Sequence, residues 1–244
     1  YKLIELSKVT DLRYGENPHQ KAALYSTEET GGIARAEQLH GKEMSYNNYV
    51  DAEAAWNLVQ DFDELAVTII KHTNPSGVGT GANNLEAYRR ALSTDPISAF
   101  GGIVALNRTV DAETAKAINE VFTEVVVAPD FESEALEVFQ TKKNLRVLRV
   151  AETKNRSNYT FKQISGGMLV QEKDLYKVST DDLKFVTERK PSASEIKSML
   201  LAWRVCKHVK SNAIVFADAH QTLGVGAGQM NRVDSVRIAA MRAE

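Results

Sequence analysis

The sequence predicts an α/β protein of three layers, α/β/α, assembled from two tandem copies of one unit with the second copy cut short. Three observations predict it. Short β-branched runs of strand length alternate with helix-period segments through residue 150. Of 244 residues, 43% are hydrophobic and 25% charged, enough for a buried core under a wet surface. The chain also matches itself without a gap at an offset of 147 residues.

Residues 51–62 place Ala55, Leu58, Val59 and Phe62 at helical spacing, with Asp51 available as the cap. Residues 65–70 (LAVTII) form a strand-length apolar run, followed by the turn-rich NPSGVGTG at 74–81, which reads as a glycine loop. Asn84 is then placed to cap a helix running through Leu92. Residues 102–107, 125–128 and 145–150 read as strands, and 111–122 and 133–141 as helices; the polar stretches 151–160 and 171–191 read as loops. Ser192 and Glu195 form a capping box, and Ile196, Met199, Leu200 and Trp203 follow at helical spacing as a core-facing stripe. A strand is expected over 213–217, a second glycine loop over 224–228, and a helix from near Asn231. The expected sheet is parallel or mixed, with helices on both faces.

At the offset of 147, Trp56 falls on Trp203, Gly77 and Gly79 on Gly224 and Gly226, Asn84 on Asn231 and Arg90 on Arg237. A shared helix–strand–loop pattern does not account for the coincident Trp, Asn and Arg. The division expected from this is a first unit over 1–160 and an incomplete second unit over 161–244. The partner of strand 102–107 would lie beyond Glu244, and the chain starts abruptly at Tyr1, so it is expected to be a fragment.

Composition removes several classes. No apolar run approaches the roughly 20 residues that span a bilayer. Thirty basic against thirty-two acidic residues give a net charge of −2, so no global positive field attracts nucleic acid, and a small ligand held locally is expected. The single cysteine, Cys206, can form neither an internal disulfide nor a thiolate cage, and no signal-like segment opens the chain; a cytoplasmic location is expected. His19, His40, His208 and His220 lack metal-ligand spacing, and no zinc site is expected.

Both glycine runs precede an Asn-capped helix, where free backbone N–H groups and the helix dipole suit an anion; each run serves equally well as a tight structural turn. Neither is a Walker motif, and Gly-x-Gly-x-Gly misses the dinucleotide fingerprint, so a nicotinamide-dependent dehydrogenase rests on the glycines alone. Lys71 and His72 follow strand 65–70, at the edge where open α/β sheets place ligands. Imidazole exchanges a proton near neutral pH, and a desolvated lysine stabilises developing negative charge. A satisfied surface pair is the plain alternative, but the equivalent positions of the second copy are Asp218 and Ala219, so the shared scaffold does not require Lys-His. Arg13 and Tyr14 could clamp a phosphate and cover a flat heterocycle, or belong to a solvated loop. Arg232 could meet a phosphate or carboxylate, or face solvent. Asn212 could donate to a carbonyl oxygen, or cap a turn.

LRYGENPHQ (12–20), MSYNN (44–48), KHTNPSGVG (71–79), SAFGGIVALN (98–107), KSNAIV (210–215) and GVGAGQMNRVDS (224–235) closely resemble the AICAR transformylase domain of the bifunctional AICAR formyltransferase/IMP cyclohydrolase family. The resemblance covers nearly the whole chain. It implies two cytidine-deaminase-like units in tandem, here without the deaminases' zinc signature. It implies formyl transfer from 10-formyltetrahydrofolate, as co-substrate, to the 5-amino group of AICAR, in a homodimer with shared active sites. By matching motif positions, His72 would be the base, Lys71 would stabilise or protonate the tetrahedral intermediate, and Asn212 would hold the formyl oxygen. Arg13 and Tyr14 would hold the nucleotide, Asn47 would contact it, and Arg232 would lie in the substrate pocket. The family's cyclohydrolase domain and its late segment, with a further histidine, are not in this sequence. The alternative is therefore a non-catalytic nucleotide-binding and dimerising module.

Overall fold

The computed structural model describes residues 3–153 and 157–243. The chain opens with an antiparallel hairpin, β1 (Ser7–Leu12) and β2 (Ala22–Ser26). After a 3-10 turn at Ile33–Arg35 come β3 (Glu37–His40) and the helix α1 (Tyr46–Gln60). Ser45, not Asp51, caps α1: its hydroxyl accepts from the amide of Asn48, whose side chain accepts from the amide of Ser45 in return. The helix starts a turn and a half before the expected cap, and Tyr49 in this added stretch already packs against the buried core.

β4 (Ala66–Lys71) and β5 (Asn74–Thr80) form a hairpin, followed by α2 (Asn84–Thr94) and the single turn α3 (Pro96–Ala99). β6 (Gly102–Leu106), α4 (Ala112–Asn119), β7 (Thr123–Ala128), α5 (Ser133–Gln140) and β8 (Arg146–Arg149) complete the first unit. Among the described residues these strands form one six-stranded mixed sheet in the order β3-β8-β7-β6-β4-β5. β6, β7 and β8 run parallel, and β4 runs against β6. The strands alternate faces with period two: Ile70, Ile103, Ala105, Val125 and Val127 pack on the α1 side, and Val67, Ile69, Val104, Leu106 and Val126 on the α2, α4 and α5 side. This is the expected arrangement of helices over both faces of a sheet.

An exposed antiparallel hairpin follows, β9 (Tyr159–Ile164) and β10 (Gly167–Glu172), where the sequence reading had loops or nothing. Of the expected loop over 151–160, residues 154–156 lie outside the described residues. The chain then runs through α6 (Ala193–Cys206), the hairpin of β11 (Ile214–Ala217) and β12 (Thr222–Gly226), and α7 (Arg232–Arg242). Ser192 and Glu195 make the expected capping box. The expected core stripe of α6 is displaced: Leu201 and Val205 are buried, while Met199 and Trp203 are 44% and 62% exposed, because α6 meets the α1-side core along one edge only.

Residues 74–80 of the first glycine run and 224–226 of the second are strand and not loop, while Gly81, Ala227 and Gly228 lie beyond the strand ends. A Cβ on Gly77 would stand 1.8 Å from the carbonyl oxygen of Ala91 in α2, and one on Gly226 would stand 1.9 Å from that of Ser235 in α7. Gly77 and Gly226 each let a helix lie directly on a strand backbone, so these glycines serve helix packing. The caps refine the internal match: Asn83, not Asn84, caps α2 by accepting from the amide of Glu86, as Asn231 accepts from that of Asp234. The helices are thus related by 148 positions where the strands are related by 147.

The order α1-β4-β5-α2 recurs as α6-β11-β12-α7. The two sets meet along the outer side of β5. Thr222 Oγ1 accepts the amide of Val78 at 2.9 Å, and the amide of Thr80 donates to the carbonyl of His220 at 2.7 Å. Among the described residues no helix is long and apolar enough to cross a membrane.

Candidate active site

Lys71 ends β4 and Asn74 begins β5, so the chain reverses through His72 and Thr73 alone. Both adopt left-handed backbone, φ 51° and 63°, at a cost of about 1–2 kcal/mol per residue without glycine. Asp51, in the second turn of α1, opposes that cost: its carboxylate accepts the amide of Thr73 at 2.7 Å and that of His72 at 3.2 Å. Asn74 secures the other side, donating to the carbonyl of His72 at 3.0 Å and accepting the amide of Lys210 at 3.1 Å. Lys71 Nζ donates to the carbonyl of Phe100 at 2.6 Å, and the His72 ring stands exposed.

These residues open onto a cleft of about 230 Å³ between the first unit and the β12–α7 segment, lined among others by Lys71, His72, Asn74, Ser98, Gln229 and Arg242. At its wall Arg242 Nε pairs with Asp95 at 3.2 Å, and Asp95 caps α3 by accepting from the amide of Ser98 at 2.9 Å.

Asn212 lies just before β11. Its side-chain amide donates to the carbonyls of Gln229 at 3.0 Å and Met230 at 3.1 Å, and its own carbonyl accepts from Ser235 Oγ at 2.9 Å. It clasps the 229–230 loop that borders the cleft. Arg232 is exposed in the first turn of α7 and is not among the residues lining the cleft.

A second cleft, of about 400 Å³, is lined by Arg13, Tyr14, Lys42, Ser45, Glu124 and Arg146, among others. The Arg13 guanidinium lies 5.5 Å from the centre of the Tyr14 ring, within cation–π range. Arg146 is buried and matched, bonding Glu124 at 2.5 Å and the carbonyl of Glu43 at 3.1 Å. With Arg146 matched by Glu124, Arg13 and Lys42 outnumber the one further carboxylate, Glu43, and leave the cleft lining with a positive surplus suited to an anion. Asn47, exposed in the first turn of α1, donates to the carbonyl of Glu16 at 3.4 Å and ties the 15–20 turn to the helix.

Both clefts open along one rim of the sheet. Lys71 reaches Phe100, two residues before β6, while Glu124 and Arg146 stand at the starts of β7 and β8. This rim carries the amino ends of the three parallel strands. β4 runs against β6, so its carboxyl end, with Lys71 and His72 following it as expected, lies at this same rim. The structure ties Asn47 to the turn that follows Arg13 and Tyr14 and sets His72 on a separate turn after Lys71. Sequence reasoning missed Asp51 as a turn clamp, and also Lys42, Arg146 and Arg242.

Fold and clefts define an α/β protein with two polar sites along one sheet rim, one of them cationic. The chain belongs to the AICARFT/IMPCHase bienzyme family, whose model matches residues 1–242. It is 53% identical over 243 residues to the bifunctional purine biosynthesis protein PurH of Bacillus mycoides, covering 98% of this chain and 48% of that protein. It is 55% identical over 237 residues to the protein of the same description from Rhodospirillum rubrum, covering 96% and 45%, and 55% identical over 238 residues to that of Caulobacter vibrioides, covering 95% and 45%. The chain spans about half the length of the curated relatives it matches.

Proposed function

We propose that this chain supplies the formyl-transfer part of the bienzyme, moving a formyl group from 10-formyltetrahydrofolate to the 5-amino group of AICAR in purine biosynthesis. The observation that carries the reading is the presentation of Lys71 and His72 on a clamped turn at the lip of a cleft, within a chain of this family.

The aryl amine is a weak nucleophile because its lone pair is delocalised into the heterocycle. As the amine nitrogen bonds the formyl carbon, His72 takes the proton it sheds. Negative charge that gathers on the formyl oxygen is met by Lys71 and by Asn212, which would release one of its carbonyl partners to donate. The bond from the formyl carbon to the folate nitrogen then breaks, and Lys71 protonates that nitrogen. Arg13 and Tyr14 hold the nucleotide phosphate and its flat ring, with Asn47 contacting it and Arg232 approaching the substrate in the assembled enzyme.

The recurring helix–hairpin–helix order supports reading the chain as two cytidine-deaminase-like units over 1–160 and 161–244. We further propose a cytoplasmic homodimer with shared sites, no zinc, and ring closure to IMP by the part of the bienzyme these residues do not span. Formyl-AICAR production by the 244-residue chain, measured beside calorimetry with AICAR, tests the reading. Turnover supports it; AICAR binding without turnover, in this chain and in the full-length protein, would establish the non-catalytic module instead.

A further inference from the structure

We propose that Asp51 is a positioning residue for formyl transfer: its carboxylate holds the left-handed His72–Thr73 turn that presents the acid–base pair. The assignment rests on the function proposed above.

The two hairpins of the chain show why the carboxylate is needed. Ile70 pairs with Pro75 in the first hairpin as Ala217 pairs with Thr222 in the second, so residues 71–74 correspond to 218–221. In the second hairpin Asp218 stabilises its own turn, its Oδ1 accepting the amides of His220 at 2.7 Å and Gln221 at 2.8 Å. The first hairpin carries Lys71 where the second carries Asp218, so the local carboxylate has been exchanged for an ammonium. The amide of Thr73, equivalent to that of His220, still meets an aspartate, but one delivered from α1. The turn has also become left-handed at His72 and Thr73, which no described residue of the second turn shares. Position 198, which corresponds to 51, is a serine bonded within its own helix to Ser194, so the remote clamp belongs to the first unit alone.

The geometry makes this a device for orientation. Asp51 touches main-chain amides and not the functional ends of Lys71 and His72, both of which line the cleft. α1 is fixed to β4 one turn further on, where Thr68 Oγ1 donates to the carbonyl of Ala55 at 3.2 Å, so Asp51 reaches the turn from a rigid base.

The test uses the full-length bienzyme. Asp51→Ala is expected to lower kcat for formyl transfer by about 10- to 100-fold, the usual cost of misplacing reacting groups, with the dissociation constant for AICAR within about twofold. Asp51→Asn, which keeps one acceptor, is expected to fall between. Adding Thr73→Gly to Asp51→Ala supplies a residue that takes positive φ freely, and is expected to recover part of the lost kcat. A purely structural role of Asp51 in α1 would not be rescued at position 73. An Asp51→Ala enzyme with wild-type kcat, or a loss that Thr73→Gly does not relieve at all, would overturn the assignment while leaving the function intact. Absence of formyl transfer in the wild type would overturn both.

Discussion

Asp61 and His208 stand 147 positions apart, one at the close of each long helix, and meet at 2.6 Å between Oδ2 and Nε2. Asp95 and Arg242 repeat the relationship at the same spacing.

Asp61 gives this contact a pH signature. Burial raises its carboxyl's pKa, but the hydrogen bonds and charges of His208 and Lys207 outweigh that and hold it below its ordinary value. The stability it confers is therefore fully present above the unfolded value, about 4, and fades as pH falls through the lower folded value. Asp61→Asn is expected to cost about 1–2 kcal/mol in urea unfolding at pH 7. The gap from wild type should narrow below about pH 4; a gap that widens on acidification would exclude this account.

Gly77→Ala and Gly226→Ala each drive a methyl into a helix carbonyl and are expected to destabilise by about 3 kcal/mol or more, since neither strand nor helix can yield without losing its partner. Gly167→Ala in β10, where nothing lies within 4 Å of the added atom, is the control and should change stability by less than about 0.5 kcal/mol. Thermal unfolding of the three variants decides; equal midpoints would show that the close approach is not needed.

These glycines also show where the sequence was legible and where it was not. Runs such as 66–70 and 102–106 declared themselves because every residue is buried and most are β-branched or small. Gly77 and Gly226 read as loop residues because the reason for them is a helix backbone that folds back later in the chain. β1–β2 and β9–β10 went unread because their residues are mostly exposed and carry no apolar alternation. Asp51 looked like a cap because its true partners are 21 and 22 residues away. Arg13, Tyr14, Lys71 and His72 were legible as chemistry, but the rim they share follows from the reversed direction of β4.

His72→Ala is expected to reduce kcat by about 10²- to 10⁴-fold, the range for loss of a general base, with AICAR affinity within about tenfold. Stopped-flow transfer kinetics beside calorimetry would show it. Weakened binding at unchanged turnover would remove the base role.

Arg13→Ala should chiefly weaken AICAR binding, by about 1.5–3 kcal/mol for a charged hydrogen bond, with kcat at saturation little changed. An unaltered dissociation constant would show that the cationic cleft holds something other than this nucleotide.

The seam between Val78–Thr80 and His220–Thr222 has a consequence for biogenesis. During translation, β5 emerges some 140 residues before the segment that closes it. Until then the nascent first unit displays an open, glycine-bearing strand border, the kind of surface that recruits stray strands. Ribosome-bound chains ending before residue 220 should accordingly depend on chaperones more than those ending after it.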